Sequence, residues 1–142
     1  MAFERETGAA FVLVALTLIC QSAGMALLIH WGRLHLLPQT GKIGPVRSAL
    51  LMVRFTGLIV ALHLLQILLW AWFYRWKCFP SWETAFYFST TSYSTVGADL
   101  IPPHTWRTLG PVESVTGVLM CGLSASFLFA VVTRLVERAG KL

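Results

Sequence analysis

Three long stretches of the chain contain almost no charged residues, and they constrain its fold more than any other feature. Residues 9–31 and 55–74 carry no charged side chain, and residues 111–133 carry only Glu113, near their start. A bilayer core of about 30 Å needs roughly 20 mostly apolar residues in helical form. The sequence therefore predicts an all-α membrane protein with three transmembrane helices.

The composition favours the same class and argues against several functions. Hydrophobic residues make up 56% of the chain and charged residues 12%, whereas about 25% of the residues of a soluble domain are charged. The net charge of +5 is not gathered in one basic cluster, so we expect no nucleic-acid partner. No nucleophile–base pair, metal-ligand cluster or phosphate loop stands out, and we expect neither an enzyme nor a cofactor.

The distribution of Lys and Arg predicts an orientation in the membrane. The first apolar run is too long, and lacks the positive leading segment, for a cleaved signal peptide, so we expect a permanent helix. With three spans, the linker 32–54 and the C-terminal tail share one side, which holds seven Lys and Arg residues against four on the other. Because Lys and Arg are enriched on the cytoplasmic side, the N-terminus is predicted outside and the C-terminus in the cytoplasm.

Residues 75–110 are too polar to cross the membrane and too apolar for an ordinary loop. Ser81 is a candidate N-cap and Glu83 falls in the first turn, where the helix dipole favours an anion. Apolar residues then recur at helical spacing, which predicts a short helix over residues 82–91 and a polar, irregular segment over 92–99. Irregular backbone at membrane depth is stable only where it lines water or is buried in protein.

The order of these elements, with Thr95-Val96-Gly97 and Asp99 between the short helix and the last span, resembles the pore module of potassium channels. The signature of that family is Thr-Val-Gly-Tyr-Gly followed by Asp, whose carbonyl oxygens replace the hydration shell of the ion. The resemblance covers residues 55–135, and the extra first helix is similar to that of small bacterial three-span channels. It implies a bacterial inner-membrane protein with an N-terminal helix and linker (1–54) and a pore module (55–142).

The resemblance also implies the roles of individual residues. One strip of carbonyls cannot surround an ion, so a homotetramer in the lipid bilayer is implied, with potassium or another monovalent cation bound at Thr95, Val96 and Gly97. Glu83 and Asp99 would concentrate cations at the external mouth of the pore. The implied filter consists of Thr95, Val96, Gly97, Ala98 and Asp99.

The sequence departs from the family signature directly after Gly97, where Ala98-Asp99 replaces Tyr-Gly-Asp. If one residue is deleted, Ala98 replaces the Tyr and Asp99 keeps its place. In an ungapped alignment, Asp99 instead takes the position of the second Gly. The outer end of the filter is altered in both cases, and the loss of one residue shortens it by about 3.3 Å. We therefore expect cation passage with weak potassium selectivity.

Several residues have two interpretations. Gly117, Gly122 and Ser126 of the last span form a gating hinge and cavity lining, or they allow close packing. Asp99 faces the ions, or it caps a turn or pairs with Arg107.

Two further features of the spans are open in the same way. His63 and Gln66 form a proton relay or interhelical hydrogen bonds. An external interface belt is expected from five tryptophans, Trp70, Trp72, Trp76, Trp82 and Trp106.

Two functions rival a potassium-type channel. One is a poorly selective sodium and potassium pore on the same frame. The other is a channel-like subunit that no longer conducts and serves in membrane assembly.

Overall fold

A computed structural model of the chain describes residues 2–36 and 44–139. Residues 37–43 of the predicted linker (32–54) and residues 140–142 of the tail lie outside the described residues. The described part contains four α-helices, and a 3₁₀ turn, His104–Trp106, precedes the last of them. The helices are α1 (Ala2–Leu36), α2 (Pro45–Lys77), α3 (Trp82–Tyr93) and α4 (Leu109–Ala139).

Three of these segments are long and apolar enough to cross a membrane, namely Glu4–Leu34, Pro45–Lys77 and His104–Glu137. This confirms the predicted all-α membrane class, and the chain is an integral membrane protein. Each of the three long helices extends beyond the uncharged run that predicts it. Pro45 begins α2 at a position where its missing N–H is not needed.

The first and last spans run in the same direction, with α2 antiparallel to both. The buried Glu6 near the start of α1 accepts a hydrogen bond from the backbone N–H of Thr108, directly before α4, at 2.7 Å. A carboxylate at this position also complements the positive end of the α4 dipole. The start of α1 therefore lies on the same side as residues 78–108.

The interior is divided into two main apolar clusters along the bundle. Phe55 of α2 occupies the one near the linker, where it packs against Leu28 and Val131. Trp70 and Phe88 lie in the other, next to the start of α4. Trp70 is fully buried and its indole N–H donates to Thr17 Oγ1 of α1 at 2.9 Å, so its assignment to the interface belt is wrong.

Candidate functional site

The short helix α3 begins at the predicted residue. Ser81 Oγ accepts a hydrogen bond from the backbone N–H of Thr84 at 3.1 Å, which satisfies one of the free donors of the first turn. Glu83 lies exposed in that turn. The helix ends at Tyr93, two residues later than predicted, so Ser92 and Tyr93 are helical and not part of the irregular segment.

Buried polar contacts hold α3 between α2 and α4. The hydroxyl of Ser89 lies 2.9 Å from the carbonyl oxygen of Ile67 and 2.6 Å from Glu113 Oε1. Both Ser89 and Glu113 are fully buried. At the end of the helix, Gly117 of α4 lies so close to Tyr93 that an added Cβ would collide with the Tyr93 carbonyl oxygen. These contacts fix the position of α3 against the two long helices.

The 95–99 segment turns back onto the end of α3. The N–H of Thr95 donates to the carbonyl oxygen of Ser92, and the N–H of Gly97 donates to that of Thr91, both at 3.0 Å. No described peptide bond is cis, and in a trans peptide the C=O points opposite to the N–H. The carbonyl oxygens of Ser94 and Val96, which share these two peptide groups, therefore point away from α3.

The backbone of this segment is unusual at two positions. Gly97 has φ = +82°, a conformation that glycine adopts without a steric penalty. Thr95 has φ = +63° and is the one non-glycine residue with positive φ in the described part of the chain. A β-branched residue rarely adopts this conformation. Backbone strain of this kind is concentrated at functional sites.

Most residues of the segment are exposed within one chain. Val96 is 79% exposed, and Thr95, Gly97 and Asp99 are also exposed. Ala98 differs, because it is half-buried against the apolar cluster that contains Phe88. Where the potassium-channel signature has a Tyr ring, a single methyl group packs here.

Two of the alternatives left open by the sequence concern the partner of Asp99 and the role of Gly117, Gly122 and Ser126. The ion pairs of the described residues do not include one between Asp99 and Arg107. Gly122 and Ser126 lie on an exposed face of α4, with Ser126 Oγ donating to the Gly122 carbonyl oxygen at 3.0 Å. Gly117 is buried against α3, as the close-packing interpretation expects. Roles in gating stay predictions for all three.

His63 and Gln66 of α2 both take part in hydrogen bonds between helices. His63 Nδ1 lies 2.8 Å from the hydroxyl oxygen of Tyr93, which in turn donates to Gln66 Oε1 at 2.5 Å. Gln66 Nε2 donates to Gln21 Oε1 of α1 at 2.7 Å. Sequence patterns did not single out Tyr93 or Gln21, although polar residues inside an apolar span are a signal for such partners.

The arrangement is suited to coordination of ions by backbone groups. Within the described part of the chain, no group of three His, Cys, Asp or Glu side chains is placed to hold a metal ion. The carbonyls of Ser94 and Val96 lie next to the C-terminal end of α3, where the helix dipole is negative. A site of this kind favours cations without a charged ligand.

Comparison with known proteins agrees with this arrangement. Residues 50–134 match the model of a family described as "Ion channel", which covers more than half of the chain. The match includes most of α2, all of α3, the 95–99 segment and most of α4, and it excludes α1. Searches of curated proteins and of solved structures give no match. With its membrane-spanning helices, the chain therefore belongs to the ion-channel family, of the two-transmembrane potassium-channel pore type.

Proposed function

We propose that four copies of this chain form a passive, potassium-type cation channel that conducts through the 95–99 segment. The observation that carries the proposal is the orientation of the backbone there. The N–H groups of Thr95 and Gly97 are bonded to α3, which leaves the carbonyls of Ser94 and Val96 directed away from it. Four such segments around one axis would supply rings of carbonyl oxygens in place of the hydration shell of an ion.

The tetramer accounts for the exposure of the segment. Val96 is 79% exposed within one chain, and contact with neighbouring subunits would cover it. Small pore modules of this family usually form oligomers in the bilayer. A fourfold ring is the closed arrangement in which identical carbonyl strips meet at one point.

The charges around the segment favour cations over anions. The C-terminal end of α3 carries about half a negative charge from its dipole and lies beside residues 95–99. Asp99 is exposed directly after the carbonyl strip, and Glu83 is exposed at the opposite end of α3. In the proposed orientation, with the N-terminus outside a bacterial inner membrane, both carboxylates face the external solution and raise the local cation concentration.

Weak selectivity is the part of the proposal that departs from the family pattern. The filter contains Ala98 where the signature has Tyr, and one residue fewer before Asp99. The Ala98 methyl group packs against the cluster containing Phe88, but it offers far less contact area than the ring of the signature Tyr. A filter held by fewer contacts adapts to ions of different size, so we expect sodium to pass along with potassium.

Cation flux out of vesicles tests the proposal. The purified protein is reconstituted into liposomes, and potassium and sodium efflux is measured for the wild type, Gly97→Ala and Gly57→Ala. Gly97 needs positive φ, so the alanine should distort the filter and reduce the flux at least about tenfold. Gly57 is helical and an added Cβ meets open space, so its variant should conduct like the wild type.

Native mass spectrometry in detergent complements the flux assay. We expect four copies in the particle for all three proteins. A stable monomer as the sole species would rule out the channel. A tetramer without flux in the wild type would support the non-conducting assembly subunit instead.

A further inference from the structure

A chain of buried hydrogen bonds connects all four helices. It begins at Tyr93, the last residue of α3, whose hydroxyl donates to Gln66 Oε1 of α2 at 2.5 Å. Gln66 Nε2 donates to Gln21 Oε1 of α1 at 2.7 Å. Gln21 Nε2 donates to Ser124 Oγ of α4 at 3.1 Å. The helix α1, outside the matched channel module, is thus bonded to the residues that support the filter.

The donors and acceptors of this chain are matched to one another. The Tyr93 hydroxyl has a single proton, which it gives to Gln66. His63 Nδ1, 2.8 Å from the same hydroxyl oxygen, must then act as the donor of that contact. Turning over the Gln66 amide alone would place its oxygen against Gln21 Oε1. Turning over the Gln21 amide as well would remove the contact of Gln21 Nε2 with the Met120 carbonyl oxygen at 3.5 Å. The orientation in which Gln21 Nε2 faces α4 therefore keeps every contact of the chain.

Burial makes each link costly to break. Gln66 is fully buried, and Gln21, Tyr93 and Ser124 expose less than a twentieth of their surface. Water cannot readily replace a lost partner at such positions, and an unsatisfied polar group in the membrane interior is unfavourable. A change at Gln21 should therefore be transmitted to Gln66 and then to Tyr93.

Tyr93 is placed to pass this effect to the 95–99 segment. It precedes Thr95 by two residues, and its backbone is confined on the other side by the close approach of Gly117. Its hydroxyl is held by α2, and α2 is held in turn by Gln21. Rotation of the Tyr93 ring would displace the end of α3, on which the bonded N–H groups of Thr95 and Gly97 depend.

We infer that Gln21 of α1 is a positioning residue for the ion path: through Gln66 and Tyr93 it fixes the geometry of the 95–99 segment and so contributes to ion selection. This inference rests on the proposed conduction through that segment. It assigns a role in the filter to a helix that the family module lacks. No direct contact between α1 and the ions is required.

Two measurements on the intact protein test the inference. The first is the potassium-to-sodium permeability ratio from reversal potentials in planar bilayers. The second is hydrogen–deuterium exchange of the amides of residues 94–99, including the Gly97 N–H bonded to Thr91. Both are applied to Gln21→Met, which keeps the length of the side chain. Thr17→Val is the matched control, because Thr17 lies on the same buried face of α1 but bonds Trp70, away from Tyr93.

Gln21→Met should lower the permeability ratio and speed the exchange of the Gly97 amide, each about fivefold, the factor that corresponds to one buried hydrogen bond of typical strength. Thr17→Val should change neither. In a Gln66→Met background, the Gln21 substitution should have no further effect, because the same path is already broken. Unchanged ratio and exchange in Gln21→Met, or equal changes in Thr17→Val, would overturn the inference.

The exchange measurement separates this inference from the proposed function. If the wild type passes no cation, the proposed conduction fails while exchange still reports whether Gln21 positions the segment. Faster exchange in Gln21→Met alone would then retain the positioning role without the ion path. If the wild type conducts and neither measurement responds to Gln21, the inference alone is wrong.

Discussion

Gly117 of α4 lies directly against the backbone of Tyr93, and a side chain at this position would collide with the Tyr93 carbonyl oxygen. The obstacle is backbone and cannot rotate away, so Gly117→Ala should push α4 from the end of α3. We expect a loss of about 1–3 kcal/mol in the free energy of unfolding. Thermal unfolding of the protein in detergent measures it.

Gly57→Ala is the control for this prediction, because an added Cβ at Gly57 has nothing within 4 Å. Alanine is favoured over glycine in a helix by up to about 1 kcal/mol, so this variant should be as stable as the wild type or slightly more so. Equal stability of the Gly117 and Gly57 variants would show that the close contact with Tyr93 is absent.

The buried Glu113 is expected to stabilise the folded protein. Replacing it with Ala removes the partner 2.6 Å from Ser89 Oγ and leaves a cavity between α3 and α4. We predict a loss of about 2–4 kcal/mol, again measured by thermal unfolding. Glu113→Gln retains the volume and one acceptor oxygen, so it should lose less than half as much. Glu137→Ala, at an exposed position on the same helix, should be nearly neutral.

The three long helices and the short helix α3 follow from simple features of the sequence. Three uncharged runs of sufficient length predict α1, α2 and α4, and the Ser81 cap with Glu83 in the first turn predicts where α3 begins. These signals are local, because a single helix satisfies its own backbone in the membrane. The ends are less predictable: Tyr93 extends α3 through contacts with α2 and α4 that lie far away in the sequence.

The sequence predicts the position of the candidate site but not its geometry. The Thr95-Val96-Gly97 motif, between two spans, is the signal for the segment proposed as the filter. The direction of its carbonyls depends on the hydrogen bond from Gly97 to Thr91 and on the positive φ of Thr95, which no sequence pattern reports. Trp70 is a residue for which the sequence-based prediction is wrong. The neighbouring tryptophans in the sequence suggest a membrane-interface position, whereas the hydrogen bond to Thr17 shows that Trp70 is buried between helices.

The orientation of the chain can be tested by labelling its ends. The contact between Glu6 and Thr108 puts the start of α1 on the same side as the short helix. The bias of Lys and Arg predicts that this side is external. A tag before Met1 should be labelled in intact cells, and a tag after Leu142 only after permeabilisation. Labelling of both ends from the same side would contradict three spans.

The exposed carboxylate of Asp99 should act on ions at long range. Asp99→Asn removes a charge at the proposed mouth, and we expect the cation current to fall about twofold or more at 0.01 M salt. The effect should nearly vanish at high salt, because the screening length falls from about 30 Å to about 3 Å at 1 M. Glu137→Gln is the control, because Glu137 lies near the C-terminal end of α4, whereas Asp99 precedes its N-terminal end. An Asp99 effect that is independent of salt would argue against electrostatic attraction at the mouth.

Permeation through the 95–99 segment is tested most directly by single-channel recording under opposed potassium and sodium gradients. The wild type should pass cations with potassium selectivity weaker than the Thr-Val-Gly-Tyr-Gly signature implies. A variant with Ala98→Tyr and one Gly inserted after it restores that signature and should raise the permeability ratio for potassium. A wild type that is already strongly potassium-selective would contradict the account of the short filter. Cation currents that stay the same after every substitution in this segment would show that the ion path lies elsewhere.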